Sequence, residues 1–449
     1  MDNKEIIENN EYSKHSLEEI LSWIDSIKDN TKVQLEKIKL QDCSPWFYDK
    51  EKGELRNKDG SFFQVTGIEM AGPDKTIHQP IIIQNEIGFL GIIACKINGV
   101  WHYLMQAKIE PGNVNVVQVS PTIQATKSNF EAKHGGRVPA YLDFFLNMKP
   151  GQVLVDQIQS EQSSRFLGKR NRNVIIMSDE ELEEKKNFRW LTLSQIKALM
   201  HYDNLVNMDT RTVISCIPFV LLEDEKDLPF AQNLRYKSSV TELNRKTIIS
   251  LYNVMNNYKM FTENRVRLLP LHELKGWEIK DNGVFPVQDY SFEVIYCNVL
   301  IEGREVTSWN QPLVASRGMG TIGLICCNFD GMFKFLVKPR AEVGCRDFIE
   351  IGPTIQQDYA QVESDEVSKL FWKKLERGEG VITDAILSEE GGRFYQEQNR
   401  NVIIEIGKDE LSQLPEGYVW SDYGTLNILM QVNNVLNIQL RNMLSFLEI

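Results

Sequence analysis

The segment Asn171-Arg-Asn-Val-Ile-Ile176 returns 228 residues later as Asn399-Arg-Asn-Val-Ile-Ile404. The segment Ser120-Pro-Thr-Ile-Gln124 also returns, as Gly352-Pro-Thr-Ile-Gln356, at an offset of 232 residues. The two matches occur in the same order, and a small deletion explains the difference between their offsets. Self-similarity at a nearly fixed spacing is the mark of an internal repeat. The chain is therefore predicted to be a tandem duplication of one domain.

Further matches define the extent of the two copies. Gln79-Pro80 corresponds to Gln311-Pro312, and at an offset of 230 residues the pair Asn204 and Arg211 corresponds to Asn434 and Arg441. We call residues 16–220 copy one and residues 240–449 copy two. The predicted domains are 1–222 and 240–449, joined by a linker at 223–239 whose acidic run and proline are typical of a solvated loop.

Both copies show the same order of helix and strand signals. Ser16-Leu-Glu-Glu19 is a capping box ahead of an amphipathic helix. The dipeptides Asn98-Gly99 and Asp330-Gly331 each separate two apolar runs, as in a β-hairpin. A closing helix is expected near 194–205 and again near 426–443. The predicted fold class is α+β, with a mixed or antiparallel sheet flanked by helices in each copy.

Composition excludes several classes of function. A formal net charge of −12 opposes nucleic-acid binding, because a phosphate backbone needs a basic surface. No apolar run approaches the length of a membrane span, and the N-terminus lacks the pattern of a signal peptide, so a cytoplasmic protein is expected. Seven cysteines without a CxxC pair indicate reduced thiols, and the scattered histidines give no reason to expect a bound metal.

Charged residues follow the hairpin at matching places. Copy one has Gln106, Lys108 and Glu110, and copy two has Lys338, Arg340 and Glu342; period-2 spacing places each trio on one strand face. A cation two residues from a carboxylate suits an anion site with a candidate base. A solvated outer face with a cross-charge pair is the alternative.

The repeated Pro-Thr-Ile-Gln motif offers hydroxyl and amide groups that can recognise a nucleobase or a sugar. The alternative is a turn whose threonine and glutamine bond locally. Trp46 and Trp277 precede the first strands of their copies, where a tryptophan can stack on a base or simply fill the core.

A third matching segment differs between the copies. Copy two reads Glu389-Glu-Gly-Gly-Arg-Phe-Tyr395 where copy one reads Glu161-Gln-Ser-Ser-Arg-Phe-Leu167. Its glycines allow a close approach of the backbone to a ligand, and its arginine can grip a diphosphate. Because only copy two has gained the extra carboxylate and the tyrosine, we expect catalysis in copy two. Gly-Gly-Arg alone is often only a turn.

These strings closely resemble the NDP-hexose 2,3-dehydratases of deoxysugar biosynthesis. The likeness is carried by 106–113, by 120–129 and by 390–401, and it covers nearly the whole chain. It implies a homodimer whose subunits each contain two Nudix-like domains, and a substrate of the dTDP-4-keto-6-deoxy-D-glucose type. It also implies a downstream 3-ketoreductase that consumes the product. Only a fragment of the Nudix hydrolase signature is present, at 389–391, so pyrophosphate hydrolysis is not expected.

The resemblance also implies two sets of pocket residues. In copy two, nucleotide-sugar binding falls to Trp277, Arg340, Thr354, Ile355, Gln356, Tyr359, Glu390, Gly391, Gly392 and Arg393. In copy one, a second, non-catalytic pocket uses Trp46, Thr122, Ile123, Gln124, Ala125, Thr126, Asn129 and Ser164.

The expected reaction is the removal of water across C2 and C3 of the sugar, and it needs no redox cofactor because the C4 ketone accepts the electrons. Our hypothesis assigns the base to Glu342 or Glu390, and the donor or general acid to Tyr395. Lys338, Arg340 and Arg393 would hold the diphosphate. The rival interpretation is a non-catalytic nucleotide-sugar sensor. A nucleoside diphosphate hydrolase is a weaker third, because the carboxylate cluster for Mg²⁺ is missing.

Overall fold

The computed structural model describes residues 12–60, 62–73, 75–126, 138–221, 239, 244–302, 306–360, 364–411 and 413–447. The linker predicted at 223–239 lies outside these residues except for Ser239, and so does Asn129. These described residues form strands and eight α-helices, an α+β arrangement that confirms the predicted class. No described helix is long and apolar enough to cross a membrane.

The described residues of copy one form four α-helices and twelve strands. The helices are α1 (Leu17–Asp29), α2 (Leu142–Leu146), α3 (Leu193–Leu199) and α4 (Met208–Ser215). The strands are β1 (Val33–Ile38), β2 (Trp46–Asp49), β3 (Glu54–Asn57), β4 (Gln64–Ala71), β5 (Thr76–Ile83), β6 (Phe89–Ile97), β7 (Val100–Ile109), β8 (Val117–Ser120), β9 (Ile123–Ala125), β10 (Val153–Ser160), β11 (Arg170–Ser178) and β12 (Phe188–Thr192).

Copy two repeats this series of elements. The helices are α5 (Arg245–Phe261), α6 (Glu366–Arg377), α7 (Tyr423–Met430) and α8 (Ile438–Ser445). The strands are β13 (Arg265–Leu269), β14 (Trp277–Lys280), β15 (Gly283–Pro286), β16 (Phe292–Ile301), β17 (Ser308–Ser316), β18 (Gly320–Phe329), β19 (Met332–Arg340), β20 (Glu350–Gly352), β21 (Ile355–Gln357), β22 (Val381–Ser388), β23 (Phe394–Tyr395), β24 (Gln398–Ile406) and β25 (Val419–Ser421).

Each copy contributes a seven-stranded mixed sheet and a smaller sheet, which is antiparallel except for the parallel pair β17–β23 in copy two. The mixed sheet of copy one runs β10-β11-β6-β7-β12, with β8 beside β7 and β9 beside β6. That of copy two runs β22-β24-β18-β19-β20, with β21 beside β18 and β25 beside β19. In both sheets one central pair is parallel, β6 with β11 and β18 with β24.

The small sheets exchange a strand between the copies. Strand β1 of copy one pairs antiparallel with β16 of copy two, placing Val33 opposite Ile301. Reciprocally, β13 of copy two pairs with β4 of copy one, placing Leu269 opposite Gly67. Each small sheet therefore depends on backbone hydrogen bonds from the other copy, and the predicted domains do not form separate sheets.

The main core lies between the two mixed sheets. It joins Ile92 and Met105 of copy one to Leu324 and Phe335 of copy two, all fully buried, together with the apolar faces of six described helices (α1, α3, α4, α5, α7 and α8). The outer face of each mixed sheet is covered by a separate helix, α2 over copy one and α6 over copy two. A single shared core therefore fixes the two copies against each other.

Local signals of the sequence agree with the structure in several places. Ser16 and Glu19 form the capping box, and the side chain of Ser16 accepts from the backbone N–H of Glu19 at 3.1 Å. The hairpin turns have positive φ at both central residues, 52° and 82° at Asn98 and Gly99, as a type I′ turn requires.

The predicted closing helices are wrong in their continuity. The structure has a pair of short helices in each of these regions, α3 with α4 and α7 with α8. Between the two helices of each pair lies an asparagine in the left-handed region. Asn204 and Asn434 have φ of 55° and 58°, and Asn207 and Asn437 then cap the second helix of each pair. Asparagine tolerates the left-handed conformation and is a preferred N-cap, so it ends one helix and starts the next.

Two buried arginines connect α4 and α8 to the opposite copy. Arg441 is fully buried; it donates to the carbonyl oxygen of Ser160 at 2.5 Å and to Oγ1 of Thr212 at 3.0 Å. Its counterpart Arg211 donates to the carbonyl oxygen of Ser388 at 2.5 Å. A buried guanidinium stabilises a fold only when its N–H groups are satisfied. These contacts therefore fix the ends of β10 and β22, the strands that precede the matching segments 161–167 and 389–395.

We predict that Arg441→Ala destabilises the protein by roughly 3 kcal/mol or more, because it leaves buried carbonyl oxygens without donors. The midpoint of urea unfolding measures this loss. The control is Arg400→Ala, which removes an exposed bidentate pair with Asp384 (2.8 and 2.7 Å); it should cost no more than about 1 kcal/mol. Equal shifts in the two variants would contradict the structural role of Arg441.

Candidate active site

The strand-face trio of copy one is held in place by the Pro-Thr-Ile-Gln motif. Nε2 of Gln124 donates to Oε1 of Glu110 at 3.1 Å, and Nζ of Lys108 lies 3.4 Å from the same oxygen. Asn207, the N-cap of α4, donates to Oε1 of Gln124 at 3.2 Å. In copy two, Gln356 donates to Glu342 at 2.9 Å and receives from Asn437 at 2.8 Å. The glutamine of the motif therefore orients a carboxylate.

The threonines of the motif are buried and bond to the backbone. The hydroxyl of Thr122 accepts from the N–H of Ile93 at 3.0 Å and donates to the carbonyl of Leu104. Thr354 does the same between Ile325 and Leu336. The hydroxyls thus connect neighbouring strands, which favours the local-bonding interpretation over recognition of a ligand.

The Glu390–Arg393 segment lies against copy one, although it belongs to copy two. The N–H of Gly112 donates to the carbonyl oxygen of Gly391 at 2.7 Å. A methyl group on Gly392 would lie 2.8 Å from Oε1 of Glu390 and 3.4 Å from Oε1 of Glu110, so the two carboxylates are neighbours. The expectation that this segment shares a pocket with Arg340 and Glu342 is wrong. Conversely, the matching segment of copy one lies against copy two, where the N–H of Gly344 donates to the carbonyl oxygen of Ser163 at 2.8 Å.

A cavity of about 1110 Å³ opens between this segment and the mixed sheet of copy one. Its copy-one wall includes Trp46, Asn57, Gln84, Gln106, Lys108, Glu110, Thr122, Ile123, Gln124, Ala125, Thr126, Lys169, Asn171, Lys185, Lys186 and Asp209. Its copy-two wall includes Glu302, Trp309, Asn310, Gln311, Glu390, Gly392 and Arg393. The cavity is therefore composite, and it contains most of the residues expected for the copy-one pocket.

Several carboxyl groups and cations lie near one another at this cavity. Burial and the charge of Glu390 raise the pKa of Glu161 to about 7. Burial and the same charge raise the pKa of Asp209 well above its usual range. Burial also raises the pKa of Glu390, although the nearby Arg393 opposes the shift. Burial lowers the pKa of Lys169. Carboxyl groups of this kind can exchange protons near neutral pH.

Arg393 is free to bind an anion. Its Nε donates to Oε1 of Gln84 at 3.2 Å, and its guanidinium lies 4.4 Å from the ring centre of Phe63. Within the described part of the chain no carboxylate forms an ion pair with it, although Glu390 and Glu110 lie near enough to influence its pKa. Thr126 occupies the position where copy two has Asp358.

The equivalent cluster of copy two is closed by an internal ion pair. Arg165, the counterpart of Arg393, is buried; its Nη2 lies 3.1 Å from Oδ2 of Asp358, and its guanidinium lies 4.2 Å from the ring centre of Phe292. Burial and Asp358 raise the pKa of Glu342 to about 7. The two clusters contain corresponding residues, but only the arginine of the copy-two cluster forms an ion pair with a described carboxylate.

Several residues expected at the site lie outside the cavity. Trp277 donates through its indole N–H to the carbonyl of His78 at 2.7 Å and packs on Tyr290 and Phe292, as a core tryptophan does. Tyr395 does not line the cavity; it is half-buried, with Nζ of Lys37 5.0 Å from its ring centre.

The remaining expected residues are placed as follows. Tyr359 is half exposed and lies beside Gly318, and Ile355 is buried in the copy-two core. The backbone carbonyl of Ser164 accepts from Gln79 at 2.6 Å. Lys338 binds Asp365 and Tyr418 at 3.2 Å each, and Arg340 donates to the backbone carbonyl of Thr354 at 2.7 Å.

Sequence reasoning missed Asp209, Lys169 and Glu161. Each belongs to a matched stretch of the repeat: Asp209 stands opposite Gln439, Lys169 opposite Glu397 and Glu161 opposite Glu389. A comparison of charge at each aligned position would have singled out the first two, because the copies differ there. Only the folded chain shows that the three converge on Glu390.

The fold is α+β, and its cavity brings carboxyl groups whose pKa is raised beside cations that can hold an anion. A family model described as NDP-hexose 2,3-dehydratase matches residues 17–217 and 249–447, once in each copy. The chain belongs to the NDP-hexose 2,3-dehydratase family.

Three relatives carry the name dTDP-4-dehydro-6-deoxy-alpha-D-glucopyranose 2,3-dehydratase. The protein from Saccharopolyspora spinosa is 39% identical over 438 residues, covering 95% of this chain and 90% of the relative. That from Amycolatopsis orientalis is 33% identical over 440 residues (95% and 89%), and that from Streptomyces violaceoruber is 34% identical over 424 residues (92% and 93%). The similarity therefore extends over both copies.

We predict that Gly112→Ala disrupts the site more than the fold. A methyl group at this position would lie 1.5 Å from the carbonyl oxygen of Phe394, so the Glu390 segment must move away. Overpacking of this kind costs about 1–3 kcal/mol. Turnover should fall by at least about tenfold, since a shift of about 1 Å is enough to impair catalysis. Gly151→Ala, where an added methyl group meets no atom within 4 Å, is the control; equal activity in both variants contradicts the prediction.

Proposed function

We propose that the protein removes water across C2 and C3 of dTDP-4-dehydro-6-deoxy-D-glucose, giving the 3,4-diketo-2,6-dideoxy sugar nucleotide. The observation that carries this proposal is the juxtaposition of Glu390 and Asp209 with the unneutralised Arg393 in one cavity. A volume of about 1110 Å³ gives room for a ligand of nucleotide-sugar size. The names of the relatives support the same substrate.

The chemistry needs a base, a cationic clamp and an acid. The C4 ketone acidifies the proton on C3, so a base that removes it leaves an enolate, from which the C2 hydroxyl departs. The resulting enol becomes a ketone at C3 when C2 takes up a proton. The ketone of the substrate accepts the electron pair, and no step requires a redox cofactor.

Among the four carboxyl groups of the cluster, Glu390 is our choice for the base. Glu110 is already engaged by Gln124 and Lys108, and Glu161 accepts from Asn171 at 2.7 Å and does not line the cavity. Arg393 would bind the diphosphate, together with Lys108, which occupies in this cavity the place that Arg340 holds in copy two. The reacting site is thus a composite of both copies and not copy two alone.

Other parts of the proposal come from the family resemblance. We propose that each copy is Nudix-like in fold, that the protein works as a homodimer in the cytoplasm, and that a 3-ketoreductase acts on its product. The Asp358–Arg165 pair supports a non-reacting role for the copy-two cluster, since its arginine is neutralised without a ligand.

Incubation with the proposed substrate in deuterated water tests the function. We expect loss of water from the sugar by mass spectrometry, and deuterium at C2 by NMR, because C2 takes a solvent-exchanged proton. Tight binding of an unchanged substrate would favour the sensor interpretation instead.

Glu390→Gln and Glu342→Gln test the assignment of the base. Loss of a general base costs about 10²–10⁴-fold in rate. We expect that loss in kcat for Glu390→Gln, and a kcat within about threefold of the parent for Glu342→Gln, because Glu342 lies in the other cluster. The double variant should resemble Glu390→Gln. Normal turnover in Glu390→Gln would remove it from the mechanism.

A further inference from the structure

Two carboxyl groups of the cavity have no protein partner. Asp209, in the first turn of α4, is 2% exposed and lines the cavity, yet no described residue donates a hydrogen bond to its side chain or forms an ion pair with it. Glu390, which belongs to the opposite copy, also lines the cavity, and its side chain likewise has no hydrogen-bond donor or ion-pair partner among the described residues. A buried carboxyl group normally has a partner. Both groups are therefore available to a ligand.

The charges that face Asp209 are mostly negative. Glu390 faces it from the segment between β22 and β23, Glu161 from just after β10, and Glu110 from just after β7. Two cations oppose these carboxylates, Lys108 of β7 and Arg211 of α4 itself. Burial and the three carboxylates raise the pKa of Asp209, so its neutral form is favoured. Neighbouring carboxyl groups without enough counter-charge hold a proton between them, because both cannot ionise at low cost.

The repeat supplies an internal comparison at both positions. Copy two has Gln439 at the position that matches Asp209 of copy one, and copy one has Gln162 at the position that matches Glu390 of copy two. An amide keeps much of the shape and hydrogen bonding of a carboxyl group but cannot exchange its proton as an acid or base. Both carboxyl groups line the cavity together with Arg393, and an amide stands at the matching position of the other copy in each case. This paired difference indicates a joint role in proton transfer.

We propose that Asp209 is the general acid of the elimination and that it works as a pair with Glu390. This inference rests on the proposed function. Ionised Glu390 removes the proton from C3, and the electron pair of that C–H bond forms the enolate. The enolate collapses to a C2–C3 double bond, the C2–O bond breaks, and the departing oxygen leaves as water with the proton of Asp209.

The second half of the cycle restores the pair. The enol oxygen on C3 gives its proton to the Asp209 carboxylate while Glu390 returns a proton to C2. The products are one water and the 3,4-diketo sugar, and both side chains regain their starting states. Asp209 thereby takes the role that the sequence assigned to Tyr395, which does not line the cavity.

The experiment separates removal of the C3 proton from loss of water. Substrate deuterated at C3 is incubated in ordinary water with the parent protein, Asp209→Asn, Asp209→Gln and Glu390→Gln, and both deuterium washout and water loss are followed. Both Asp209 variants should lose water at least about 100-fold more slowly while still exchanging the C3 deuterium. Glu390→Gln should lose both activities. Asp358→Asn, the same chemical change in the copy-two cluster, is the control and should leave both rates unchanged.

Three outcomes would overturn the role of Asp209. These are dehydration within about threefold of the parent in Asp209→Asn, joint loss of exchange and dehydration with substrate still bound, or loss of substrate binding in a folded variant. The parent protein gives a test that does not depend on variant folding: the ratio of C3 exchange to water loss should rise with pH as the acid loses its proton, and a constant ratio overturns the proposal. A parent that leaves the substrate unchanged would instead refute the proposed function.

Discussion

The fold depends on the buried contacts by which each copy satisfies the other. Arg211 and Arg441 bond to backbone carbonyls across the interface, and β1 and β13 extend the small sheet of the opposite copy. Buried polar groups and sheet edges both require partners, and here each copy supplies them to its neighbour. The shape of the cavity also depends on the contact between the copies, because one wall is the β7 strand face of copy one and the other is the Glu390 segment of copy two. Its geometry is therefore as rigid as the interface between the copies.

The two clusters differ in how their buried charges are balanced. Asp358 neutralises Arg165 in the copy-two cluster, and amides stand at the positions of the repeat that match Asp209 and Glu390. In the cavity no described carboxylate forms an ion pair with Arg393, and Asp209 and Glu390 have no partner among the described residues. A buried group without a partner reduces stability. The two carboxyl groups without a described partner lie in the cavity, which is the distribution expected when one site binds and transforms a charged ligand and the other stabilises the fold.

Local structure could be predicted from the sequence because its causes are local. The capping box at Ser16 and the turn at Asn98-Gly99 depend on residues a few positions apart. Period-2 spacing likewise placed Lys108 and Glu110 on one face. The exchange of β1 and β13, in contrast, is decided by which sheet edge is available, and an alternating pattern indicates a face but not a partner strand. For the same reason, the repeat in the sequence identified the segment that contains Glu390, but it could not show that this segment of copy two lines the cavity of copy one.

The electrostatics of the cavity link substrate binding to the strength of the base. Arg393 lowers the pKa of Glu390 in the free protein, opposing the effect of burial. In the proposed complex the diphosphate neutralises the charge of Arg393, so this lowering is lost, and the pKa of Glu390 rises. A carboxylate with a higher pKa is a stronger base, and it gains that strength only when the nucleotide occupies the site. The same bound charge favours the protonated form of Asp209. Binding energy at the diphosphate is thus converted into a more basic Glu390 and a better-retained acid proton at Asp209, the two conditions that an elimination next to a ketone requires.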